Sequence, residues 1–182
     1  MTHVDNLLQN WRITKAAQHI VPNARVLDIG SGDGALFRQL GDRLGGGLGV
    51  DPTLKADQNM DRFHLKAGFF PEAIPAGSEL FDVITMLAVL EHFPETMYAT
   101  LGASCARFLK PNGRLIITAP SPLVDHILSV LKWLRLIDGM SLEEHHGYDT
   151  QRTRTVFAPH FRLVRHQRFQ LGLNNLFVFE KV

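Results

Sequence analysis

A single cysteine, Cys105, is all the thiol chemistry this chain carries, so no internal disulfide can form. No apolar run reaches the roughly 20 residues that a bilayer-spanning helix needs, and no secretory leader opens the sequence. Those absences predict a cytoplasmic protein without stable membrane insertion. A surplus of one charge is lacking too: 19 Lys and Arg stand against 18 Asp and Glu, for a formal charge of +1. A protein that neutralises many phosphates normally carries a basic excess, so nucleic acid is not an expected partner. Internal repeats and low-complexity tracts are missing. The 182 residues, 45% of them hydrophobic, suffice for one core, and a single domain over residues 1–182 leaves no room for a separate substrate domain.

What is there begins with Val26-Leu27-Asp28-Ile29-Gly30-Ser31-Gly32-Asp33-Gly34, an apolar strand carrying one acid and then three glycines at alternate positions. Glycine lets backbone come close to a ligand and accepts φ > 0, so this strand end reads as a cradle for a nucleotide-like cofactor. Gly30, Gly32 and Ala35 also satisfy the looser dinucleotide pattern. The charge of Asp28 separates the two readings, because it would repel a pyrophosphate and attract a sulfonium or an ammonium.

Helical and extended signals alternate along the chain, which predicts a doubly wound α/β fold with helices on both faces of a mostly parallel sheet. Helices are expected at Val4 to Ile20, Ala35 to Leu44 and about Pro94 to Leu109. Strands are expected at Arg25 to Ile29, at Leu48 to Asp51 after a flexible Gly45-Gly46-Gly47 link, at His64 to Ala67 and at Phe81 to Leu87. The turn Lys110-Pro111-Asn112-Gly113 leads into a fifth strand, Arg114 to Ala119. Phe161 to Phe169 and Asn174 to Val182 complete the set as an antiparallel hairpin.

VLDIGSGDG resembles motif I of the class I S-adenosylmethionine-dependent methyltransferases. Four further strings resemble that family in the same order: Val50-Asp51-Pro52, Phe81-Asp82-Val83-Ile84, Leu90-Glu91-His92-Phe93 and Leu109-Lys110-Pro111-Asn112-Gly113. The resemblance covers roughly residues 24 to 182. It implies a Rossmann-like seven-stranded sheet in the order 3-2-1-4-5-7-6 with the seventh strand antiparallel, S-adenosylmethionine as cofactor, S-adenosylhomocysteine as product and a small-molecule acceptor. It also implies that Asp28, Gly30, Ser31, Gly32, Gly34, Asp51, Pro52, Phe69, Phe70 and Leu87 form the cofactor site. Asp28 would help to hold the methionine ammonium, and Asp51 would accept hydrogen bonds from both ribose hydroxyls. Many relatives carry an acid after strand three that receives the adenine amino group. Gly68-Phe69-Phe70-Pro71 stands there instead, so Phe69 or Phe70 would supply an apolar wall for the ring.

The O-methyltransferases of ubiquinone synthesis carry a Glu-x-x-Glu-His cluster that holds a divalent cation. Here Ala88 replaces the first acid, so no metal site is expected at Glu91 and His92. His92 is a candidate for orienting a substrate or acting as a base, beside the plainer role of bonding a neighbouring carbonyl.

Residues 121–150 interrupt the interval after the fifth strand, where an insertion commonly shapes the acceptor pocket in this family. Leu123, Val124, Ile127, Leu128, Val130, Leu131, Leu134 and Ile137 predict a helix over 122–137 that is apolar around most of its circumference. It reads as a lid, a homodimer face, an interfacial helix or ordinary core. The titratable group Glu143-Glu144-His145-His146-Gly147-Tyr148-Asp149 follows it, and His145 or His146 is a candidate general base where an alcohol or phenol must lose its proton. Beyond it lie Arg152, Arg154, Arg162, Arg165 and Arg168, with no acid before Glu180. Strand alternation puts Arg162 and Arg168 on one face and Arg165 on the other. The reading that emerges is methyl transfer to a small or lipid-like acceptor, with O-methylation ahead of N or C. A nucleotide-dependent oxidoreductase and a catalytically silent partner subunit are the alternatives.

Overall fold

The glycine loop sits at the centre of the sheet in the computed structural model of the protein, which describes residues 3–121 and 150–182. β1 (Ala24–Ile29) is almost wholly buried, as an apolar strand with both faces covered must be. It lies between β2 (Leu44–Asp51) and β5 (Phe81–Leu87), parallel to both. β4 (Phe63–Ala67) and β6 (Leu109–Pro120) extend the parallel set outward, and β8 (Asn174–Lys181) runs antiparallel between β6 and β7 (Phe161–Phe169). These seven strands follow the expected order. An eighth, β3 (Gln58–Met60), adds an antiparallel edge to β4.

Alternation along the strands builds two cores. Val26, Val83, Ile116 and Val178 face α1 (His3–Ala17) and α2 (Ala35–Leu40). Leu27, Ile84, Leu115, Phe177 and Phe179 face α3 (Tyr98–Phe108) and α4 (Thr150–Phe157). At the foot of the sheet Asp82 accepts the Arg25 backbone N–H at 2.8 Å and the Lys110 ammonium at 2.7 Å, which ties β1 to the start of β6. The chain winds outward from β1 in both directions, so a crevice opens where β1, β2 and β5 end.

Besides the Lys110-Pro111-Asn112-Gly113 turn, which β6 takes in at an irregularity of its pairing, three local expectations change. α2 stops at Leu40, where the Gly41 N–H bonds the Phe37 carbonyl, rather than running to Leu44. β2 starts at Leu44, so Gly45-Gly46-Gly47 is strand and not a flexible link. Phe37 explains why: its ring stacks on Phe63 at 4.8 Å, and a Cβ on Gly47 would lie 2.5 Å from Phe37 Cε1 and 2.8 Å from the Val26 carbonyl oxygen. Glycine here makes room for a helix to press on a strand. The third change is on β7. Its pairing slips at Val164, so Arg162 opposite Glu180 and Arg165 opposite Val178 share the α1 face, while Arg168 opposite Asn175 lies on the other. A one-residue bulge inverts every side chain beyond it, and simple alternation cannot see that.

Gly47→Val should lower the unfolding free energy by about 1–3 kcal/mol, because the new methyls meet an aromatic ring and backbone rather than space. A urea titration reads this directly. An unchanged midpoint would mean that Phe37 is free to move aside.

Candidate functional site

The loop after β1 is held at three points. Gly30 N–H donates to the Val50 carbonyl at 2.8 Å, Gly34 N–H to the Ser31 carbonyl at 2.9 Å, and Gly32 N–H to Asp51 Oδ2 at 2.7 Å. Gly30, Gly32 and Gly34 all have positive φ, but the space around them differs. A Cβ on Gly30 would lie 2.3 Å from Val89 Cγ2, and one on Gly34 would meet Leu65 at 3.1 Å. Around Gly32 nothing lies within 4 Å. The outer two glycines therefore serve packing, while the middle one leaves the mouth of the site open for a ligand to approach backbone.

Beneath the loop is a small cavity of about 50 Å³ lined in part by Gln9, Arg12, Asp28, Gly30, Ser31 and Leu87. That volume suits an ammonium or one or two waters and not a nucleoside, which must lie outside it over the rim. Asp28 is 4% exposed and points from β1 to the α1 side of the sheet. Its Oδ1 accepts the Thr85 hydroxyl at 2.6 Å. Burial pushes the Asp28 carboxyl up from the ordinary 3.8 to about 7; the Thr85 bond opposes that rise and the Asp51 charge adds to it. Arg12 lines the same cavity from α1, so an acidic and a basic residue border one space. Sequence reasoning missed Arg12. The signal available was a basic residue beside the buried stripe of Ile13, Ala16, Ala17 and Ile20.

Asp51 closes β2, buried, with Oδ1 accepting the Thr53 N–H at 2.8 Å and its hydroxyl at 2.6 Å. With Gly32 on Oδ2, three of about four acceptor positions of the carboxylate are filled. A diol therefore binds both oxygens only if it displaces the Thr53 hydroxyl. Pro52 is exposed next to it. Phe69 is 70% exposed, whereas Phe70 is buried with its ring edge-on to Phe108 at 5.8 Å. Of the two rings only Phe69 lies open to a ligand. Leu87, half-buried, ends β5 at the cavity.

His92 is exposed at the end of a 3-10 turn, its backbone N–H on the Val89 carbonyl, and Glu91 beside it is half-buried. Among the described residues no group of three His, Cys, Asp or Glu side chains is placed to hold a metal ion. His145, His146 and the 122–137 segment lie outside the described residues.

A family model described as a methyltransferase domain matches residues 3–156. The chain belongs to this family. Among curated relatives, the methyltransferase domain is 34% identical over 107 residues to a ubiquinone biosynthesis O-methyltransferase of Hahella chejuensis, covering 54% of this chain and 44% of that protein. It is 32% identical over 138 residues to a nocamycin O-methyltransferase of Saccharothrix syringae, covering 67% and 48%. The chain thus spans about half the length of the curated relatives it matches. Its fold is that of the N-methyltransferase NodS from Bradyrhizobium japonicum WM9, at a TM-score of 0.68 and 16% identity, covering 97% of this chain and 98% of that one. The cyclopropane synthase MmaA2 from Mycobacterium tuberculosis matches at a TM-score of 0.69 and 17% identity, over 95% and 84%. No helix among the described residues is long and apolar enough to cross a membrane.

Asp28 gives this site a sign-definite cost. Its carboxyl is near 3.8 when unfolded and about 7 in the fold, so the ligand-free protein loses stability as pH rises between those values and stays at the lower level above them. Asp28→Asn should therefore raise the melting temperature of the ligand-free domain at pH 8, by roughly several degrees, and do little at pH 4. Thermal unfolding at both pH values checks it, and a gain equal at the two would contradict it.

Proposed function

We propose that this methyltransferase domain binds S-adenosylmethionine along the ends of β1, β2 and β5 and passes its methyl group to a hydroxyl of a small acceptor. The cavity beneath the loop carries the reading: one buried carboxylate and one guanidinium suit the ammonium and carboxylate of an amino-acid head. Ser31 Oγ, buried and without a hydrogen-bond partner among the described residues, and the open space above Gly32 fit the same ligand. Asp28 takes the ammonium and Arg12 the carboxylate. Asp51 takes the ribose, and Phe69 flanks the adenine beyond Pro52, while Phe70 supports that loop from the core. A dinucleotide would set its pyrophosphate against Asp28 and Asp51, which disfavours the oxidoreductase alternative.

The cofactor supplies a methyl carbon already bonded to a good leaving group. Transfer is then an in-line displacement in which alignment contributes most of the acceleration. The work of the chain is to fix the amino-acid head and the ribose so that the methyl faces the acceptor, and to orient the acceptor hydroxyl. Removing the hydroxyl proton calls for a base, for which His145 and His146 in the 121–150 segment and the exposed His92 are the candidates. The O-methyltransferase relatives support oxygen as the atom methylated. No metal enters the scheme, because position 88 carries a methyl group where a ligand set of Glu91 and His92 needs another acid.

By calorimetry, Asp51→Ala should weaken S-adenosylhomocysteine by roughly 10- to 100-fold, since it removes the ribose acceptor and frees the Gly32 N–H together. Equal affinity in the folded variant would take Asp51 out of the site. Gly32→Val should fold with a stability loss of only about 1–2 kcal/mol yet bind no S-adenosylhomocysteine, as its side chain fills ligand space. Normal binding there would mean that the cradle lies elsewhere.

A further inference from the structure

Thr85 sits on β5 directly opposite Asp28, on the same face of the sheet, and is fully buried. Its one hydroxyl proton has a short route to Asp28 Oδ1 at 2.6 Å and a poor one to the Leu27 carbonyl at 3.5 Å. Among the described residues no protein donor meets the other oxygen, Oδ2, on the cavity side. We propose that Thr85 is a positioning residue for cofactor binding: its hydroxyl pins one oxygen of Asp28 and so presents the other to the ammonium of the ligand's amino-acid head. The inference rests on the methyltransferase reading of the site and assigns a role to a residue that touches no part of the ligand.

The physics runs through the proton on Asp28. The Thr85 hydroxyl at 2.6 Å favours the ionised carboxylate, because donation to a charged oxygen is stronger than donation to a neutral carboxyl. Among the described residues, the polar groups around Asp28 are Gln9 and Arg12 from α1, Ser31 from the loop, Asp51 from β2 and Thr85 from β5, while α2 contributes Ala35 and Leu36 to the cavity. Burial opposes the negative charge and Asp51 repels it, while the Thr85 hydroxyl favours it. Among these described groups it is Thr85 that hydrogen-bonds the carboxylate, and so gives it direction as well as stabilisation. The hydroxyl is also absent from the sequence signature that marks the glycine loop, lying 57 residues downstream.

The test compares wild type, Thr85→Val, which keeps the shape and removes the donor, and Thr85→Ser, which restores it, with Thr85→Ala as a second donor-free variant should valine not fold. The first readout uses no ligand: the ¹³Cγ shift of Asp28 is followed by NMR across pH. In wild type the midpoint is expected at about 7. Without the hydroxyl it should move up by roughly one unit or more, and serine should return it. The second readout is S-adenosylhomocysteine affinity by calorimetry, taken as the ratio of variant to wild type so that the ligand's own titration cancels. That ratio should be roughly fivefold or more at pH 7 and fall within about threefold by pH 9, where Asp28 is ionised in both. An unmoved Asp28 midpoint, or a ratio flat with pH, overturns the proposal. Wild type that binds no S-adenosylhomocysteine at any pH would instead sink the cofactor reading, and the ligand-free titration would still report whether Thr85 governs Asp28.

Discussion

A carboxylate kept inside the sheet is the constraint on which the site depends. Asp28 occupies a strand position between the hydrocarbon of Leu27 and Ile29, and burial is the main cause that pushes its carboxyl up to about 7. The surrounding structure answers that cost piece by piece. Thr85 donates to it, Arg12 lines the same cavity, and that cavity leaves room for a cation of ammonium size. Above it the glycine loop is drawn toward β2 by the Gly32 to Asp51 bond.

Much of this was legible in the sequence because it is local. The strand, the three glycines and Asp51 are read from spacing, the doubly wound architecture follows from the alternation of helix and strand signals, and the strand order is what the resemblance to class I methyltransferases implies. What escaped depends on long-range contact. Arg12 and Thr85 are ordinary residues in a helix and a strand, and only the packing of α1 and β5 around β1 brings them to Asp28. Gly45 to Gly47 looked like a flexible link because glycine usually signals one, yet Phe37 stacked on Phe63 demands a strand without side chains. The slip of β7 at Val164 leaves no mark in composition, and it reorders the arginines between the faces. Phe69 and Phe70 read alike in sequence; only burial separates the exposed ring from the core ring.

The cofactor side and the acceptor side of this family are built differently. The cofactor side rests on buried strand ends that one sequence motif specifies. The proposed acceptor side draws on the 121–150 segment, whose sequence joins an apolar stretch to a histidine-rich one. NodS and MmaA2 share this fold at 16% and 17% identity while their names denote an N-methyltransferase and a cyclopropane synthase. Fold alone therefore fixes the frame for the cofactor and leaves the acceptor to particular side chains.

Proton release on ligand binding tests the role of Asp28 most directly. Calorimetry of S-adenosylhomocysteine at pH 7, run in two buffers of different ionisation enthalpy, counts the protons exchanged. If Asp28 must ionise to receive the ammonium, about half a proton should leave per ligand bound at pH 7, and the release should fade toward pH 8 and vanish in Asp28→Asn. Binding of undiminished affinity with no proton exchanged at pH 7 would contradict the account, because the buried carboxylate would then take no part in holding the ligand.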